Sequence, residues 1–420
     1  MHHRHFTFQK GNPLSGPLSN IKVLDLSRIL AGPWASQILG DMGADVIKVE
    51  RPKSGDDTRQ WGPPYAKDKS GSDASEAAYY LAANRNKKSL TLDFTAPEGR
   101  DILLKLAAKS DIFLENYKLG GLKKYGLDYE SLKKLNPKII YCSITGFGQT
   151  GPYAHKAGYD FLIQGMGGLM SVTGESDAHP GGGPQKVGVA HVDVMTGLYA
   201  VIAILGALHH RRQSGVGQYI DLALFDVQVA TLANQGMNFL TSGIVPKRLG
   251  NAHPNIVPYQ AVKTKNGHII LAIGNDGQFK RFSELIGYPE LSESSDYATN
   301  PARVANRVAL MTIIEKALSQ HNTEEWVEMF ESHAVPCGPI NTIDRVFDDP
   351  QIKARQMQLM IEHPTIGEVP QVKTPIHYSD TPLDYCKAPP TLGQHVDEVL
   401  TDELGLSTEA IKLLRDKGVI

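Results

Sequence analysis

Cysteine is scarce: Cys142, Cys337 and Cys386 are the only three in 420 residues, far apart and without CxxC spacing. They cannot all pair, so neither a disulfide framework nor a Cys-based zinc site is expected, and a reducing compartment fits. An excess of one charge is also lacking. Against 43 basic residues stand 45 acidic ones, a net charge of −2, so a general nucleic-acid binder is not expected. No unbroken run of 18 apolar residues occurs, and the longest stretch, around Leu198–Leu208, carries Gly206. A membrane-spanning helix is therefore not expected. Three catalytic signatures are missing too. No GxGxxG follows the first strand, where the turn is Ser27-Arg28-Ile29-Leu30-Ala31-Gly32-Pro33, which argues against a dinucleotide dehydrogenase. The absence of GxxxxGK[ST] removes a P-loop NTPase, and the absence of GxSxG removes a serine hydrolase of that type.

What remains is a chain with 41% hydrophobic residues, long enough for two or three domains or one discontinuous one. Ile21–Leu26 reads as a strand, Gly32-Pro33 opens a helix to about Met42, and Val46–Glu50 is a second strand. The alternation recurs through Lys138–Ser143, which predicts an open α/β sheet with ligands at the carboxyl ends of its strands. A long apolar helix is predicted over Val194–Arg212. Asn266-Gly267 between two apolar runs predicts a two-residue hairpin in an antiparallel region. The expected organisation is a flexible tail at 1–20, a large α/β domain from 21 to 222, a small α+β domain at 225–335, and a return to the large domain from 345 to 420. In the tail, His2, His3 and His5 suggest disorder rather than a metal site. The tail lacks the apolar core of a secretory signal. A cytoplasmic location is expected, with the mitochondrial matrix as alternative.

Two carboxylates stand out. Asp193, in GVAHVDVMTG, precedes the long helix and admits two readings: a helix N-cap, or an ionised nucleophile at the positive end of a helix dipole. Asp160, in AGYD, is open to a turn role in the same way. Cys142 lies inside an apolar strand, where a thiol is packing, and Cys337 has no evident His partner. The glycine run Gly146–Gly151 is either a strand-to-helix turn or a ligand-facing loop. Lys48, Arg51, Arg85, Lys87 and Lys88 cluster where a phosphate-bearing ligand would be held, or form a solvated face.

The segments LDLSRILAGPWASQILGDMGADVIKVERP, GDDTRQWGPPY, NRNKKSLTLD, YCSITGFGQTGP, AGYD, GVAHVDVMTGLYA and VPCGPI, in that order, resemble the family III coenzyme A transferases. That superfamily includes formyl-CoA, carnitine-CoA and succinyl-CoA–dicarboxylate transferases and the α-methylacyl-CoA racemases, and these stretches look most like the succinyl-CoA–dicarboxylate branch. The resemblance implies a Rossmann-like large domain, a smaller domain, and two subunits interlocked as rings in a homodimer. It implies transfer of CoA from an acyl-CoA donor such as succinyl-CoA to a small carboxylic acid such as glutarate, the alternatives being another acid (carnitine, oxalate or itaconate), an α-methylacyl-CoA racemase, or a non-catalytic CoA-thioester binding protein in which Asp193 only caps its helix. The CoA thioester is then a substrate, with no permanently bound cofactor, no metal, and no nucleic-acid or membrane partner. Asp193 matches the catalytic aspartate. CoA contacts carry over to Arg51, Leu92, Asn116, Tyr117 and Lys124, while Leu30 stands where formyl-CoA enzymes use glutamine. A racemase needs a His where this chain has Tyr159, and a phenol of pKa near 10 is a poor proton shuttle. Gly250-Asn251-Ala252-His253-Pro254 replaces the glycine-rich flap of the formyl-CoA enzymes. A dicarboxylate's remote carboxylate calls for a cation, for which Arg59 and Arg85 are candidates, with His253 after them.

Overall fold

The computed structural model describes residues 16–420, so most of the expected tail, with its histidines, lies outside the described residues. The chain forms two compact units. The first runs to Gly167 and resumes over Gly188–Ala233 and Lys353–Ile420; the second combines Gly168–Val187 with Asn234–Ile352.

The first unit is built on six parallel strands: β1 (Lys22–Asp25), β2 (Asp45–Glu50), β3 (Lys87–Thr91), β4 (Ile112–Glu115), β5 (Ile140–Thr145) and β6 (Tyr219–Ala223), in the order β3-β2-β1-β4-β5-β6. Their near-continuous apolar runs follow from burial on both faces, as parallel sheets require. On one face, Val23, Val46, Leu114 and Cys142 meet Ala35 and Leu39 of α1 (Ala31–Asp41). On the other, Leu24, Ile47, Phe113 and Tyr141 meet Leu103 and Leu106 of α2 (Pro97–Lys109) and Leu132 of α3 (Tyr129–Leu135). The order reverses direction between β1 and β4, which opens a crevice at their carboxyl ends.

Two further helices belong to this unit, α4 (Asp160–Met166) and α5 (His191–Ser214). By length and composition, α5 would pass for a membrane span. Its apolarity has another cause on one side: Val192, Thr196, Gly197, Ala200, Val201, Ile204 and Ala207 form a buried stripe at helical spacing. Gly197 is required where α5 crosses α1, since a methyl there would sit 2.8 Å from the Ala31 carbonyl oxygen. The other side leaves Leu198, Tyr199 and Ile202 exposed. At the chain's end, α6 (Val396–Leu404) and α7 (Thr408–Asp416) pack Val399, Leu400 and Ile411 onto the α2 face.

The second unit packs Phe279, Phe282, Ile314, Trp326 and Phe330 against an antiparallel sheet of β7 (Tyr259–Lys263), β8 (His268–Ala272) and β9 (Cys337–Pro339). The predicted two-residue hairpin is a four-residue one. Lys263 pairs with His268, and the intervening turn closes through Thr264 N–H on the Gly267 oxygen and Gly267 N–H on the Thr264 hydroxyl. Asn266 is drawn away because its side-chain oxygen accepts from Thr323 N–H at 2.8 Å. Gly168–Val187, expected in the large domain, belongs to this unit because Gly250 N–H donates to the Gly174 oxygen and Arg248 pairs with Asp177.

Candidate active site

Asp193 is not the cap of α5. It is the third residue of the helix, Ala190 supplies no side-chain cap, and the uncapped N–H groups are met from outside. The Asp160 carboxylate accepts from Val192 N–H at 2.8 Å and from Asp193 N–H at 3.3 Å, and its second oxygen accepts from Gln164 at 2.6 Å. Asp160 reaches this position because Gly146 and Gly158 touch backbone to backbone: a methyl on Gly146 would lie 2.5 Å from the Gly158 Cα. That contact gives Gly146 of the glycine run a packing role. The N–H groups of Gly148 and Gln149 are likewise used internally, by Thr145 Oγ1 and Asp221.

The Asp193 side chain is 9% exposed. Burial, and then the neighbouring Asp160 charge, push its carboxyl up to about 7. Burial, and then the charges of Asp193, Asp160 and Asp56, push the Tyr79 phenol up to about 12, so it stays protonated and can donate. Its ring meets the Trp61 ring edge-on at 5.2 Å. Neither Trp61 nor Tyr79 is singled out by residue type; the signal for them is their place inside GDDTRQWGPPY and just before NRNKK. Asp160→Asn removes the second of the two causes that raise Asp193 but leaves an oxygen to accept from Val192. If Asp193 is the nucleophile, the acid limb of the pH–rate profile follows its ionisation and is expected to move to lower pH, measured as kcat/KM from pH 5 to 9.

At the crevice between β1 and β4, Arg28, Val49, Arg51, Leu92, Phe94 and Tyr117 line a narrow recess. The loop after β1 is held in a strained form, with Ile29 at φ 73°, a region costly for a β-branched residue. Ile29 N–H donates to Asp56 at 3.2 Å, and the Asn116 amide brackets Arg28, accepting from its N–H at 2.9 Å and donating to its oxygen at 2.7 Å. Asn116 thus positions Arg28, a lining residue the sequence did not single out. Beside it, a wider recess of about 400 Å³ shares Tyr117 and is lined by Glu115, Tyr129, Tyr141 and Tyr219. Burial pushes the Glu115 carboxyl up to about 7.

The other sequence-predicted residues are distributed as follows. Arg51, Leu92 and Tyr117 come together at the narrow recess, whereas Lys124 is exposed and lies 4.8 Å from the Tyr125 ring centre. His253 is in the second unit, 5.3 Å from the Tyr259 ring. Three members of the basic cluster are interior ion-pair partners. Lys48 is bound by Asp56 at 2.8 Å, and the pair holds Asp56 at about 2 although its burial pushes the other way. Lys87 donates to Pro33, Asn84 and Asp25, and burial brings it down to about 7. The expectation that Arg59 or Arg85 receives a ligand carboxylate is corrected by their surroundings. Arg59 is 6% exposed and bidentate to Glu50; Arg85 is 3% exposed and bidentate to Asp41.

Residues 18–396 match the family model of CoA-transferase family III. The chain is 53% identical over 386 residues to the succinate–glutarate CoA-transferase of Agrobacterium fabrum, covering 92% of this chain and 95% of that one. It is 43% identical over 404 residues to the human succinyl-CoA:glutarate CoA-transferase, covering 96% and 90%. Its fold superposes on the crystal structure of a CAIB/BAIF family protein from Brucella suis with a TM-score of 0.81 at 52% identity, covering 93% of this chain and all of that one. A mixed α/β fold on a central parallel sheet, a shielded aspartate at a helix start, and agreement over nearly the whole length lead to one assignment: the chain belongs to CoA-transferase family III.

Proposed function

We propose that this enzyme moves CoA from succinyl-CoA to glutarate through covalent intermediates on Asp193. The observation that carries the reading is the Asp193 carboxylate itself, shielded at the start of α5 and half ionised near neutrality; the substrate pair is that of the two relatives above. The ionised carboxylate attacks the thioester carbonyl, forming a mixed anhydride and expelling CoA thiolate. The thiolate then attacks the Asp193 carbonyl, giving an aspartyl-CoA thioester and releasing succinate. Glutarate attacks that thioester, forming a second mixed anhydride and expelling CoA thiolate, which then attacks the glutaryl carbonyl to give glutaryl-CoA and restore the Asp193 carboxylate. Each step exchanges one acyl bond for another, so no ATP enters. On this reading the protonated Tyr79 phenol donates to a carboxylate or developing oxyanion beside Asp193.

The CoA nucleotide lies, on this reading, over the narrow recess of a Rossmann-like sheet, against Arg51, Leu92 and Tyr117, with Lys124 nearby and Arg28 added. With Arg59 and Arg85 committed inside the fold, His253 is the acceptor-binding candidate that remains. A second copy of the chain, interlocked as a homodimer, covers Leu198, Tyr199 and Ile202 of α5 and the exposed Phe161 and Leu162 of α4. The test is an acceptor panel of C4 to C6 dicarboxylates against succinyl-CoA, with hydroxylamine added to trap an acyl-enzyme. Glutarate is expected to give the highest kcat/KM and trapping to label Asp193. Exchange of the α-hydrogen with deuterated water outpacing CoA transfer would show a racemase instead.

A further inference from the structure

The recess carries an anion of its own. Asp57 opens the short turn Asp57–Gln60, one-third exposed, and each of its oxygens holds a different arginine: Oδ2 is 2.6 Å from Arg28 and Oδ1 is 2.9 Å from Arg51. Those arginines follow β1 and β2, adjacent strands at the crevice, and both line the recess. The Arg28 guanidinium also lies 5.8 Å from the Tyr117 ring centre, and its Nε is buried with no partner among the described residues. The neighbouring Asp56 is turned the other way, fixed by Lys48. Two guanidinium groups bridged by one exposed carboxylate reproduce the contacts a phosphate makes, with one acceptor oxygen too few.

We infer that Asp57 competes with the phosphates of the CoA thioester for Arg28 and Arg51, and so sets how tightly the nucleotide is held. The inference rests on the recess being the nucleotide site. While Asp57 bridges the pair, its charge cancels one of their two. An incoming phosphate displaces or shares it, and on departure the carboxylate returns. A transferase must release one CoA thioester and admit another with the same nucleotide in every cycle, so weakened retention serves turnover.

The sign of the effect separates competition from mere loop support. For the full chain with Asp57→Asn, titration with free CoA is expected to give a Kd roughly two- to fivefold lower at low salt, the range set by partly exposed ion pairs. The gain should shrink toward nothing in about 0.5 M salt, where screening is short-ranged. Asp57→Ser should behave alike. A Kd for CoA that is unchanged or raised in both variants overturns the inference, as does a gain that salt leaves intact. Arg51→Ala tests the underlying site separately. If it leaves CoA binding untouched, the recess is not the nucleotide site; if it weakens binding while Asp57→Asn fails to tighten it, only the competition falls.

Discussion

Asp193→Asn is expected to lower kcat by roughly three orders of magnitude or more while leaving CoA binding in place and making the fold more resistant to heat. The first effect is chemical. An amide of the same shape cannot attack a thioester to form an anhydride, and among the described residues of the first unit the nearby acid, Asp160, is occupied by Val192 and Gln164. The second effect follows from proton linkage. The Asp193 carboxyl is raised to about 7 in the fold, above the ordinary aspartate range. Between that range and pH 7 the folded state binds the proton more tightly than the unfolded chain, so stability falls as pH rises through the window. Asparagine never ionises and avoids the penalty, so Tm should rise by about 2–5 °C at pH 8 and by less as pH falls toward 5. Turnover within tenfold of the parent enzyme, or loss of stability at pH 8, would count against the placement of Asp193. A nucleophile kept at a cost to the fold is the usual trade between activity and stability.

Much of the first unit was legible because its signals are local. Lys22–Asp25, Asp45–Glu50, Ile112–Glu115 and Ile140–Thr145 read as strands from apolar residues packed on both sides, and α5 from its length. What could not be read depends on partners distant in the chain. Lys48 and Lys87 look like phosphate ligands until Asp56 and Asp25 are seen to hold them in the interior. Asp193 is visible as a motif residue, but its N–H is met by Asp160, the first residue of α4, seated by the contact of Gly146 with Gly158. Gly168–Val187 has no periodicity of its own, and its membership of the second unit is hidden in the sequence because its anchors, Arg248 and Gly250, come some seventy residues later. Asp57 shows the same limit: sequence places it in GDDTRQWG, and only the fold brings Arg28 and Arg51 to its two oxygens.

Arg59 tests how far those buried pairs support the fold. Its Nε and a terminal nitrogen donate to the two oxygens of Glu50, both at 2.8 Å, the other terminal nitrogen reaches Glu76 at 3.2 Å, and Tyr80 Oη and the Pro390 oxygen take further N–H bonds. Its guanidinium also lies 3.7 Å from the Tyr80 ring centre. Burial pushes Glu50 up, but the bonds and charge of Arg59 override it and hold that carboxyl below its usual range. Arg59→Met leaves Glu50 in the interior without its bidentate partner, a loss of about 3–5 kcal/mol for a buried pair. A depressed carboxylate stabilises the fold above its unfolded pKa and ceases to do so as pH falls through the folded one, whereas the abandoned Glu50 of the variant is relieved by taking up a proton. The difference between parent and variant, measured by urea unfolding, should therefore be largest near pH 7 and narrow toward pH 4. An arginine that served the acceptor acid would behave otherwise: its loss would raise KM for the dicarboxylate and leave the unfolding midpoint where it was.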